Sequence, residues 1–171
     1  SAASTPLAGS TVSTPESLFI TKLALSLAFG KPGTSSMSAS GILTVPNGFT
    51  ISGSKVVVDV GGVIKQFSLD SKGSSKAGND TLKISIKSTK GIVAAQSAKF
   101  SVGYKSGSWH NNFADEALLD TNASGVPHTV TVHILFNNKL FKADVPQLYT
   151  AKQGSSGKTK LPSGVSTIPG R

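Results

Sequence analysis

Two stretches of this chain restrict it to strands. Val56 to Gly78 reads VVVDV, then Gly61-Gly62, then VIKQFSLD, then SKGSSKAG. Val130 to Lys158 reads VTVHILF, then Asn137-Asn138, then KLFKADV, and after a short join AKQGSSGK. In each, a run rich in β-branched residues meets two turn residues and returns. Gly and Asn tolerate the positive φ that a primed two-residue turn requires, so each stretch reads as a β-hairpin. A basic Ser/Gly/Lys linker follows each hairpin. The near-repeat predicts an all-β chain.

The rest of the sequence agrees with that period. Leu23, Leu25, Leu27 and Phe29 fall on one face of Leu18–Phe29, with Ala24, Ser26 and Ala28 between them. Leu82, Ile84 and Ile86 alternate with Lys83, Ser85 and Lys87, the clearest period-two pattern in the chain. Phe100, Val102 and Tyr104 share a face, as do Val130, Val132, Ile134 and Phe136. Gly30-Lys31-Pro32-Gly33 and Pro46-Asn47-Gly48 are turn sequences. Thr34 to Ser40 reads as a polar loop before a short strand, Gly41 to Val45. Only Ser106 to Ser124 breaks the pattern. There Asn112 is placed to cap a short helix carrying Asp115 and Glu116 in its first turn, where the helix dipole favours negative charge.

Eight or nine short antiparallel strands follow from this reading, and the connections are too short for crossovers. The expected fold is an antiparallel β-sandwich, Ig-like or jelly-roll-like, over residues 18–151. Residues 1–17 and 152–171, rich in Ser, Thr, Gly and Pro, are expected to form extended N- and C-terminal arms. At 171 residues the chain is long enough for one two-layer core.

Charge restricts the partners. The formal net charge is +9, yet charged residues make up only 15% of the chain, against about 25% in an average globular protein. Ser, Thr and Gly take their place. A field of this sign favours polyanions, among them acidic polysaccharide. Of the 17 basic residues only Arg171 is not lysine. Base readout and bidentate phosphate recognition rest on arginine forks, so nucleic acid is an unlikely partner on this composition. There is no cysteine, which excludes disulfides, cysteine-ligated zinc and thiol catalysis. No apolar run is long enough for a transmembrane helix. The opening Ser1-Ala2-Ala3-Ser4 resembles the small-residue flank left by signal-peptide removal, which gives the expectation of a secreted or cell-surface protein.

No catalytic set stands out. His110, His128 and His133 have no partner at metal-ligand spacing. The eight carboxylates show neither the alternating spacing of a calcium loop nor a GxSxG neighbour. A non-enzymatic protein with no cofactor and no metal is expected. Trp109, followed by His110, Asn111 and Asn112, is the candidate glycan-binding surface: an exposed ring stacks on a sugar and amides read its hydroxyls. Asn79 and Asn122 each begin an N-x-[ST] acceptor pattern in a loop. The first functional expectation is a self-assembling subunit of a surface filament, pilus-like fibre or layer. Its strand donor would be Leu18, Ile20, Leu23, Leu25 and Leu27, or the leader before them, added to a neighbour's open edge. The alternative is a carbohydrate-binding accessory module centred on Trp109.

Overall fold

A computed structural model describes residues 16–165. Thirteen strands run in chain order. They are β1 Glu16–Ser17, β2 Phe19–Ala28, β3 Ser35–Val45, β4 Lys55–Val60, β5 Val63–Ser68, β6 Ser74–Ala77 and β7 Asp80–Ser85. Then follow β8 Ser88–Thr89, β9 Ile92–Val93, β10 Gln96–Gly107, β11 Ala123–Phe136, β12 Lys139–Lys152 and β13 Ser156–Lys160. No helix occurs among the described residues.

Both predicted hairpins are present. Gly61 and Gly62 sit at φ 56° and 93°, and Asn137 and Asn138 at 51° and 57°, as a primed turn demands. Ten strands make one sheet in the order β5-β4-β11-β12-β13-β2-β3-β10-β7-β6, with β1 added parallel to β12 and all other pairs antiparallel. The sheet curls until its two ends, β5 and β6, approach each other, so it is nearly closed into a barrel. Alternation along a strand is common to sandwiches and barrels. Pairing order distinguishes them, and that lives in long-range register.

The strands that carry an alternating phase of large apolar residues turn it to a single core. Val56, Val58 and Val60 of β4, Val132 and Ile134 of β11 and Ile84 of β7 are fully buried there. Burying one such side chain contributes roughly 1.5–3 kcal/mol, so this interior is the main stabilising element.

Three expectations are corrected. The polar loop over Thr34–Ser40 is most of β3, which pairs with β2 and β10. The helix expected to start at Asn112 does not form; residues 110–117 make turns only. Ala117 takes φ 59°, and the N–H groups of Leu118 and Ala117 reach back to the carbonyls of Phe113 and Ala114, a closing pattern that keeps these turns from continuing as a helix. The stretch taken for a C-terminal tail contains β13, which lies inside the sheet between β12 and β2. Of the expected N-terminal arm, residues 1–15 lie outside the described residues, and Glu16–Ser17 pairs with Phe141 and Lys142.

Candidate functional site

Trp109 closes one end of the barrel. Its side chain is packed edge-on against Tyr104 and Phe113, at ring-centroid distances of 6.4 and 5.8 Å. Gly107 leaves the room, since a Cβ there would overlap the indole. Only 7% of Trp109 is exposed. A stacking platform needs an open face, so the exposed-Trp surface expected from sequence is not formed. His110 is half-buried and edge-on to Phe29 at 6.0 Å, while Asn111 and Asn112 are exposed. The four residues therefore do not converge on one surface. Glu116, nearby, has its carboxyl pushed up by burial and by Asp115 and Asp59.

The expected donor strand is likewise spent on the chain's own core. Leu18, Ile20, Leu23, Leu25 and Leu27 are all 2% exposed or less. β2 has β3 on one side and β13 on the other. Exchanging it would expel four core side chains, so β2 is not an available donor. Asn79 is exposed in the turn joining β6 to β7. Asn122 is exposed too, but its Oδ1 accepts from the N–H of Gln153 at 3.1 Å and so helps hold the β12–β13 turn.

The structure brings together a seam that sequence reasoning missed. At one end β5 and β6 are tied: Asp70 N–H donates to the carbonyl of Ser74 at 2.8 Å, and Ser68 N–H to Ser75 Oγ at 3.1 Å. Towards the other end the ladder stops. Val60 and Val63 flank the two-residue turn, so Asp59–Ile64 and Val57–Gln66 are the non-hydrogen-bonded pairs of the β4–β5 ladder. The backbone groups of Ile64 and Gln66 therefore point away from β4, into the seam. The Ile64 side chain is 62% exposed. On the barrel side, Lys65 Nζ meets Asp80 Oδ2 at 3.2 Å and lies 6.0 Å from the centre of the Tyr104 ring. Asp80 Oδ1 accepts from Lys105 N–H at 3.0 Å. The Tyr104 hydroxyl donates to the Val58 carbonyl at 2.9 Å, and burial, with Asp59 and Asp80 adding to it, raises its pKa far enough to keep it neutral. A signal for the pair existed: Lys65 shares the inward phase of Val63 and Phe67, and Asp80 that of Leu82 and Ile84.

A second surface lies on the outside of β2, β3, β10, β7 and β6. Register places Lys22, Ser40, Ser101, Lys83 and Ser74 in one row across these five strands. Lys99 and Lys76 flank the row on β10 and β6. Two concavities, of about 500 and 330 Å³, meet at Ser101. Comparison with protein-family models, with curated proteins and with solved structures finds no match.

Proposed function

We propose that this chain is a non-enzymatic structural domain of an extracellular layer or filament, and that its copies join by strand addition at the open seam. The observation that supports this reading is the interrupted ladder at Ile64 and Gln66, in a sheet that is paired almost all the way round. An extended strand of a neighbouring copy laid beside β5 takes up those backbone groups and covers Ile64. Lys65 is neutralised by Asp80, so the edge is entered without leaving an unpaired charge. The hydroxyl-rich, lightly charged composition suits a protein that works outside the cell.

Gln66→Pro tests the reading selectively. The Gln66 N–H faces the seam, so proline removes a seam donor and leaves the β4–β5 ladder intact. Light scattering and negative-stain electron microscopy should show filaments or sheets for the native chain and monomers for the variant, with equal melting temperatures. A native chain that stays monomeric at every concentration overturns the proposal.

A further inference from the structure

We infer that the outer face of β2, β3, β10, β7 and β6 is a binding surface for an anionic polysaccharide, laid across the strands along the row from Lys22 to Ser74. Lys22, Lys76, Lys83 and Lys99 are all exposed, and none has an ion-pair partner among the described residues. No outward position of these strands carries a carboxylate; Glu16 of β1 reaches the end of β3, accepting from Thr44 at 3.2 Å, but is paired with Lys139 at 3.0 Å. Asp80 points inward to Lys65, and Asp70 stands at one end of the surface with its Oδ1 held by the N–H groups of Lys72 and Ser74 at 2.8 and 2.9 Å. The other half of the sheet differs. On β4, β11 and β12, Asp59 stands 3.8 Å from His133, and Asp144 accepts from Thr131 at 2.7 Å and meets Lys142 at 3.8 Å. Lys55 of β4 and Lys152, Lys158 and Lys160 of β12 and β13 are also exposed without an ion pair among the described residues, but on the face from β2 to β6 the lysines stand in register with only serines between them.

The chemistry between the lysines selects the polymer. Ser40, Ser101 and Ser85 offer hydroxyls that both donate and accept, which suits the alternating hydroxyls and carboxylates of an acidic sugar chain. Neighbouring strands lie about 4.8 Å apart, so Lys22 and Lys83 stand roughly 14 Å apart across the row and meet successive charges of an extended chain. Single-stranded nucleic acid needs exposed rings for base stacking. Here Phe100 and Tyr104 point inward, and Phe19 is half-buried at the margin. An anionic membrane needs apolar side chains to insert. The large exposed apolar residues Ile64, Ile92, Leu119, Val126, Leu135 and Val165 all lie off this face.

The test is binding of the full chain to immobilised polygalacturonate, with dextran as the neutral control. Duplex and single-stranded DNA and phosphatidylserine vesicles form the competing arms. Lys22→Gln/Lys83→Gln/Lys99→Gln is compared with Lys55→Gln/Lys139→Gln/Lys142→Gln, which removes the same charge from β4 and β12. We expect salt-sensitive binding to polygalacturonate alone, weakened about tenfold or more by the first triple variant and less than about twofold by the second. Equal losses from both variants would reduce the effect to net charge and overturn the site. So would absence of binding, or tighter binding to DNA or vesicles.

Discussion

The two Ser/Gly/Lys segments read almost alike and end in opposite circumstances. SKGSSKAG makes a turn and then β6, the last strand of the sheet, with β7 on one side and the seam on the other. AKQGSSGK makes a turn and then most of β13, with β12 and β2 on either side. Both turns lean on an aspartate. Asp70 serves the first locally, accepting from Lys72 and Ser74, whereas Asp120 serves the second from across the chain, accepting from Gly154 at 2.7 Å. The difference lies in what covers the strand that follows. Tyr149 of β12 lays its ring over Gly157 and donates its hydroxyl to the Leu119 carbonyl at 2.8 Å, its pKa raised to about 12 by burial and then by Asp120. Thr159 points into the core and accepts from Leu25 N–H at 3.0 Å. β6 has no such cover. A strand with nothing large of its own is interior where a neighbour fills its inward slot, and an edge where none does.

Substitutions at matching places should separate the two strands. Gly157→Val gives the largest effect: its Cβ would stand 2.6 Å from a Tyr149 ring carbon, and urea unfolding should show a loss of about 3 kcal/mol, the upper range for overpacking. Ala77, at an inward place of β6 opposite Asp80, is exposed, and Ala77→Val should stay within about 0.5 kcal/mol. Equal losses would mean that β6 is as enclosed as β13. Next in size, Thr159→Val leaves the buried Leu25 N–H without its acceptor, and the same titration should register about 1–3 kcal/mol.

The turn beside β6 gives the smallest effect and a pH signature. Backbone N–H groups of Ser74 and Lys72 hold the Asp70 carboxyl below its usual value of 3.8. A carboxyl depressed in the folded state contributes stability above that usual value and loses it as pH falls through the folded one. Asp70→Ala should therefore lower the melting temperature slightly at pH 7, and the difference from the native chain should shrink once pH drops below 3.8. A difference that persists undiminished at pH 2 would show that the charge is not what matters.

The same comparison explains what the sequence made legible. Both hairpins could be read because their turns need Gly or Asn and their flanking strands alternate large apolar residues. β2, β7 and β11 were legible for the second reason. β6, β13 and the first half of β3 were not, because their inward places hold small or polar residues such as Ser35, Ala39, Gly157 and Thr159. Over β13 the Tyr149 ring fills the space, so the alternation exists in the structure without showing in the string. Trp109 stood out by type, but an indole serves equally as platform or plug, and only Gly107, Tyr104 and Phe113 decide between them. The seam was half legible: the inward phase marks Lys65 and Asp80, but nothing local says that β5 and β6 are the two ends of one sheet. The lysine row was invisible as a row, since it gathers residues from five strands far apart in sequence.

The central claim is that the seam is an open edge that a neighbour completes. Amide hydrogen exchange of Ile64 and Gln66, measured over a range of protein concentrations, tests it most directly. The account predicts fast exchange of both in dilute protein, protection that grows with concentration, and slow exchange of the Val58 and Ile134 amides throughout. Protection of Ile64 and Gln66 at every dilution would mean that the barrel closes on itself. Fast exchange at every concentration would mean that no strand ever pairs there.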